Sequence, residues 1–296
     1  MKNHERVNIA VEHIRQQLPE NFVPEVAIVL GTGLGTLADL VQNTISIDYA
    51  DIPYFPHSTV DSHHGCLTFG YLPHPYRYGS DEASPNTAPA DVNPLGIPVV
   101  LQQGRSHLYE GYQPHDVCMG IRVMATLGAK KLIITNAAGS INPLFDAGSL
   151  MLITDHINFT GRSPLVGPNH DDWGPRFPDM SAVYDASLRA IALEEASALG
   201  IRLERGIYVG VLGPQLETPA ETRMFRNLGI DAIGMSTVHE VIAAKHLGMQ
   251  ILGISSLSNQ NLPDCMAEAT LEDIIRVAGL CGEQLLRLIP KIVARM

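Results

Sequence analysis

The sequence predicts an α/β protein, and three observations carry that expectation. Short apolar runs of strand character recur along the chain at 26–30, 99–102, 131–135, 150–154, 206–212 and 250–257. Between them lie segments with helix-start signatures, among them two consecutive capping boxes, Thr218 to Glu221 and Thr237 to Glu240. The runs at 26–30 and 131–135 each lead into a turn of small residues, which suits close approach of backbone N–H groups to a ligand at the carboxyl ends of strands.

Size and charge bound the function. With 296 residues, 45% of them hydrophobic, the chain can bury a large core, and one large α/β domain or two smaller ones are both open; there is no internal repeat. A net charge of −11 without a basic cluster argues against a nucleic-acid surface, while a small anion held by a few local groups remains compatible. The four cysteines, Cys66, Cys118, Cys265 and Cys281, have no metal-ligand spacing, so we expect no metal site, reduced thiols and a cytoplasmic location. The first 20 residues read as a charged amphipathic helix, neither signal peptide nor membrane span, and a soluble protein with no membrane partner is expected.

In chain order, the strand 26–30 delivers the chain into Gly31-Thr32-Gly33-Leu34-Gly35, where Thr32 adds a hydroxyl donor. A turn-rich passage containing His63 and His64 then ends in an alternating strand. Residues 73–95, rich in Pro, Asn, Asp and Ser, read as a loop insertion with no domain boundary. The strand 99–102 is followed by a loop carrying Arg105, His107 and Tyr109: a planar guanidinium fork suits a pair of phosphate oxygens, and an imidazole can bond both an anion and a sugar hydroxyl. Pro114 opens a helix to Leu127, and the strand 131–135 ends in Asn136-Ala137-Ala138-Gly139-Ser140, expected as a loop.

A strand at 150–154 leads into a long polar loop holding Trp173, the only tryptophan, and a helix at 186–199 precedes the strand 206–212. The loop after it carries Leu216 and Glu217, held by the capped helix that runs from Thr218 to about Gly229. The second capping box puts Met235 and Ser236 at the mouth of the next helix, where free backbone N–H groups favour an anion. The last strand leads to Ser258-Asn259, and Thr270 caps a final helix running to about Pro290.

Residues 213–248, together with the segments above from about Val26 to Asn259, resemble the trimeric purine nucleoside phosphorylases that act on six-oxopurines. The resemblance implies one domain over 1–296, with a mixed central β-sheet surrounded by helices. It also implies phosphorolysis of inosine, guanosine and their 2′-deoxy forms to free base and (deoxy)ribose 1-phosphate, in purine salvage. By the same resemblance, phosphate is bound by Thr32, His63, Arg105, His107, the backbone of Ala137 and Ser236, with His64 competing for the place of His63. The nucleoside is bound by Tyr109, Trp173, Leu216, Glu217, Met235, Asn259 and Leu271, with Trp173 lent across a homotrimer interface to a neighbour's sugar. Asn259, Glu217 and His107 are the catalytic set. No cofactor is implied, inorganic phosphate being a co-substrate.

The sequence departs from the family pattern in three places. Thr32 stands where a serine is usual, the 73–95 insertion replaces a tight turn, and no histidine follows His246, so Leu271 falls where a histidine would bind the ribose 5′-hydroxyl. Preference for xanthosine or 5′-modified nucleosides therefore stays open. The rival enzyme reading is an NAD-dependent oxidoreductase, from the Gly31 turn and Asp51, but a dinucleotide fingerprint needs its third glycine where Thr36 stands. A non-catalytic purine-binding protein of the same fold is the second rival.

Overall fold

Val26–Leu30 (β1) contains no polar side chain and is buried on both faces, as a central strand of a helix-covered sheet must be. Ala27 and Val29 pack on one face with the first helix, Asn3–Arg15 (α1), and Val26, Ile28 and Leu30 pack on the other. The computed structural model describes residues 1–31, 35–58, 65–75 and 93–296, except for the side chain of Leu271.

The strands Gln42–Asp48 (β2), Cys66–Leu72 (β3) and Ile97–Gln103 (β4) extend the sheet beyond β1, with β2, β3 and β4 antiparallel in turn and β4 parallel to β1. β2 was not expected, because an edge strand that is mostly exposed carries little hydrophobic alternation. β3 is buried almost throughout where alternation was expected. The expected insertion joins these antiparallel neighbours, Leu72 opposite Ile97, and its residues 76–92 lie outside the described residues.

Pro114 opens a helix as expected, but it is broken at Cys118 into Pro114–Val117 (α2) and Met119–Leu127 (α3), where the Cys118 thiol donates to the His239 carbonyl. Lys131–Ser140 (β5), Leu150–Asn158 (β6), Leu203–Gly210 (β7), Ala232–Gly234 (β8) and Gln250–Gln260 (β9) complete the sheet. The order is β2-β3-β4-β1-β5-β8-β7-β6-β9, and β9 also pairs with β5, so the last five strands close on themselves. Ala186–Ala198 (α4) and Leu271–Val293 (α7) cover one face, while α1, α3 and Val238–His246 (α6) cover the other. Pro219–Asn227 (α5) buries Phe225 in a smaller cluster with Val209 and Ile233. The fold is a single-domain mixed sheet surrounded by helices.

β5, β6 and β9 outrun their expected ends, β6 as far as Asn158, and the corrections to β5 and β9 bear on the site. β5 does not stop at Thr135: Asn136 to Ser140, expected as a loop, remain in the ladder because β9 pairs with them as far as Ser140 opposite Gln260. β9 likewise carries Asn259 inside the strand. β7 begins three residues earlier than expected and ends two earlier, and α7 continues through Pro290 to Val293.

Candidate active site

At the end of β4 the chain turns into Arg105, whose side chain is 2% exposed. Its guanidinium is held by the protein itself: Nη2 donates to the Thr135 carbonyl (2.7 Å), Nη1 donates to Ser236 Oγ (3.1 Å), and Nε lies 3.4 Å from the fully buried Glu240 carboxylate. A buried cation paired in this way cannot swing away without stranding its partner, so its position is set before any ligand arrives.

Ser236 and Thr237 bring the chain into α6. The Thr237 N–H donates to Glu240 Oε2 (2.9 Å), which is the acidic half of the expected capping box, and Asn136 Nδ2 donates to the Thr237 hydroxyl (2.9 Å). Thr237 has φ +73°, a left-handed conformation disfavoured for a β-branched residue, and this turn is what seats Ser236 against Arg105 at a helix start. A guanidinium, a hydroxyl and the positive end of a helix dipole converge here on one small volume, an arrangement suited to an anion.

His107 stands beside this group. Glu110 accepts from both its backbone N–H (2.6 Å) and its Nδ1 (2.8 Å), and the ring stacks on Tyr109 at 4.7 Å and 13°. Burial pushes the Tyr109 phenol up to about 12, so it stays protonated and able to donate at neutral pH. Beneath them the end of β1 lies tight against β5: the Gly31 N–H donates to Thr135 Oγ1 (3.1 Å), and a Cβ on Gly31 would fall 2.9 Å from the Asn136 Cα.

A second hydrogen-bonded group comes from the loop before α5 and from β9. Ala138 pairs with Leu257 and Gly139 with Asn259, so Ser258 is an extra residue, a bulge of the kind that re-aims side chains beside functional sites. The Ser258 hydroxyl donates to Asn259 Oδ1 (2.9 Å), Asn259 Nδ2 donates to Asn261 Oδ1 (2.7 Å), and Asn261 Nδ2 donates to Glu217 Oε2 (2.9 Å). Burial pushes the Glu217 carboxyl above its ordinary value and the Glu221 charge adds to this, while its own backbone N–H and Asn261 hold it down.

Both groups line one cleft. Arg105, His107, Tyr109, Ala137, Leu216, Glu217, Met235, Ser236 and Asn259, all expected from the sequence, meet there. Thr32, His63 and the competing His64 lie outside the described residues, as does the side chain of Leu271. The resemblance assigns Trp173 to a neighbouring subunit's sugar, not to the cleft of its own chain. It does not line that cleft and packs against the core, with Arg122 4.6 Å above its ring and His170 at 5.1 Å. Within its own chain it is anchored by packing, because a loop aromatic that finds a cation and a core to cover gains more there than in solvent.

The sequence reading missed Asn261 and Ile274, which also line the cleft. A signal existed for each: Asn261 is two positions from Asn259, hence on the same strand face, and Ile274 is about one turn beyond the start of the final helix. Among the described residues no group of three or more His, Cys, Asp and Glu could hold a metal ion, and no helix is long and apolar enough to cross a membrane.

Residues 25–294 match the family described as the phosphorylase superfamily. The chain is 44% identical over 291 residues to purine nucleoside phosphorylase 1 of Bacillus subtilis (strain 168), covering 98% of each chain. It is 39% identical over 278 residues to the purine nucleoside phosphorylase of Bos taurus, covering 92% of this chain and 89% of that one. Among solved structures, Schistosoma mansoni purine nucleoside phosphorylase in complex with inosine superposes with a TM-score of 0.86 at 35% identity, over 99% of this chain and 96% of that one.

Proposed function

The chain belongs to the purine nucleoside phosphorylase family within the phosphorylase superfamily, and from that premise we propose that it cleaves inosine, guanosine and their 2′-deoxy forms with inorganic phosphate. The products are the free purine and (deoxy)ribose 1-phosphate. One observation carries this reading most directly: an anion-holding group (Arg105, Ser236 and the start of α6) and a purine-reading group (Glu217 and Asn259) line the same cleft.

Phosphate is taken by Arg105, Ser236, His107 and the backbone of Ala137, with Thr32 and His63 completing the set. Tyr109, Met235 and Leu216 cover the sugar and base, and Leu271 stands at the 5′ end. No protein nucleophile is required. As the glycosidic bond lengthens the sugar becomes cation-like and the base anion-like, and groups whose interactions strengthen with those charges lower the barrier. The bound phosphate serves the sugar. Asn259 donating to N7, and Glu217 accepting from N1–H, serve the base.

The same pair sets specificity. A six-oxopurine offers N1–H to the Glu217 carboxylate, whereas adenine presents a lone pair to it, a mismatch worth on the order of 2 kcal/mol or more. The protein works without cofactor, as a homotrimer in the cytoplasm, and serves purine salvage. Incubating it with inosine in the presence and absence of phosphate tests the reading: hypoxanthine release should require phosphate, and equal release without it would make the protein a hydrolase.

A further inference from the structure

We propose that Asn261 is a positioning and specificity-determining residue that couples the two base contacts, fixing the orientation of the Asn259 amide from the carboxylate of Glu217. The inference rests on the phosphorylase reading above and names a residue that this reading does not use. Asn261 is 7% exposed and lines the cleft, and its backbone N–H is tied to the Ser140 carbonyl (2.7 Å), so its side chain projects from a fixed point at the end of β9.

The chain of hydrogen bonds has a direction. An ionised carboxylate can only accept, so Asn261 must turn Nδ2 towards Glu217 Oε2 and therefore Oδ1 towards Asn259. Asn259 must then answer with Nδ2, and its own Oδ1 is held by the Ser258 hydroxyl. The orientation of each amide follows from the charge at one end. An amide nitrogen carries two hydrogens, and with one of them on Asn261 the second is the donor that N7 of a purine requires. Without Asn261, nothing in this chain of bonds would tell the Asn259 amide which way to face. The space for the bridge is provided opposite it, on β5: a Cβ on Gly139 would lie 2.7 Å from Asn261 Nδ2 and 3.3 Å from Asn259 Nδ2.

Asn261→Asp separates this role from a structural one. The replacement keeps the side-chain shape and an oxygen to accept from Asn259, but sets a second carboxyl oxygen against Glu217 where the 2.9 Å contact now is. Two carboxylates so close share a proton held between them, which spreads one negative charge over both groups, so Glu217 becomes a weaker acceptor for N1–H of hypoxanthine and less repulsive to the N1 lone pair of adenine. The ratio of kcat/KM for adenosine to that for inosine should rise about tenfold or more at neutral pH, and in a Glu217→Gln background the same substitution should move the ratio by less than about twofold.

A merely structural residue would lower both substrates together and leave the ratio unchanged, which would overturn the proposal, as would an equal change in both backgrounds. Asn261→Ala, which removes both bonds, should lower kcat/KM for inosine about tenfold or more while the thermal unfolding transition stays cooperative, and full activity in that variant would also overturn it. A wild type that releases no hypoxanthine from inosine and phosphate brings down the phosphorylase reading and this inference with it. An active wild type with an unchanged ratio brings down this inference alone.

Discussion

At the scale of single residues, charge placement decides what the cleft can bind, and two substitutions test it. Arg105 offers a planar fork whose bonds to Thr135 and Ser236 set its angle, so Arg105→Lys keeps the charge beside Glu240 but loses the geometry. We expect KM for phosphate to rise about tenfold or more with a smaller effect on KM for inosine, since a charged hydrogen bond is worth roughly 1.5–3 kcal/mol; equal effects on both would remove Arg105 from the phosphate subsite. Glu217 must be ionised to accept from N1–H, and burial raises its carboxyl above the ordinary 4.5. The acid limb of kcat/KM for inosine should therefore fall above the usual glutamate range, and it should be lost in Glu217→Gln. Stability gives the same shift an independent reading. With the folded value raised above the unfolded one, the contribution of this group is fully present below the unfolded value and is lost as pH rises through the folded one. Glu217→Gln should accordingly unfold at a higher temperature than wild type near pH 7, and the difference should shrink as pH falls through the raised value and level off below 4.5. A difference that grows towards acid would contradict the burial argument.

Secondary-structure elements carry these residues with uneven legibility in sequence. The capped helix after Glu217 was readable because Thr218 and Glu221 form the bonds their spacing implies, 3.2 Å for Glu221 N to Thr218 Oγ1 and 2.8 Å for Thr218 N to Glu221 Oε2. The full lengths of β5, β6 and β9 were not readable. Their ends are built from residues such as Asn136, His156 and Asn259, which have no apolar alternation and stay extended because neighbouring strands pair with them. The same effect concealed Asn261, whose importance lies in bonds across elements. Thr237 shows an element accepting local strain to aim a side chain. At φ +73° a threonine is held against its preference, at a cost of order 1–3 kcal/mol, and its hydroxyl bond with Asn136 offsets part of this. Thr237→Ala keeps the strain and loses the bond, whereas Thr237→Gly loses both. The glycine variant should be the more stable of the two by about 1 kcal/mol in denaturant unfolding, in the direction that the helix-start preference for glycine over alanine also favours. An alanine variant of equal or greater stability would show that the conformation is not strained.

At the scale of the whole molecule, the sheet buries its apolar residues well, yet the long segment after β6 leaves several outside. Phe159, Val166 and Phe177 are 52%, 83% and 86% exposed, and Phe159 meets Phe225 of α5 edge-on at 5.1 Å. Scattered exposed apolar residues are ordinary, but three large ones within one segment next to the helix that follows Glu217 are a costly surface, since burying each would contribute roughly 1.5–3 kcal/mol. A second copy of the chain is the occupant consistent with the proposed homotrimer: a heterologous contact between this segment and another face of the next subunit closes into a ring of three and leaves no apolar face open. Val166→Asp with Phe177→Asp should therefore convert the trimer to monomers, because two charges placed in an apolar contact cannot be desolvated without a partner. Both side chains are exposed in the isolated chain, so the fold should survive and the far-ultraviolet circular dichroism should not change. If the neighbour also helps to enclose the nucleoside, kcat/KM for inosine should fall about tenfold or more while the tryptophan environment, set by Arg122 and His170 of the same chain, stays as it is. Sedimentation velocity and steady-state kinetics on the same samples decide between the alternatives. A wild type that sediments as a fully active monomer would remove the trimer from this account, and a double variant that still sediments as a trimer would place the interface on another face.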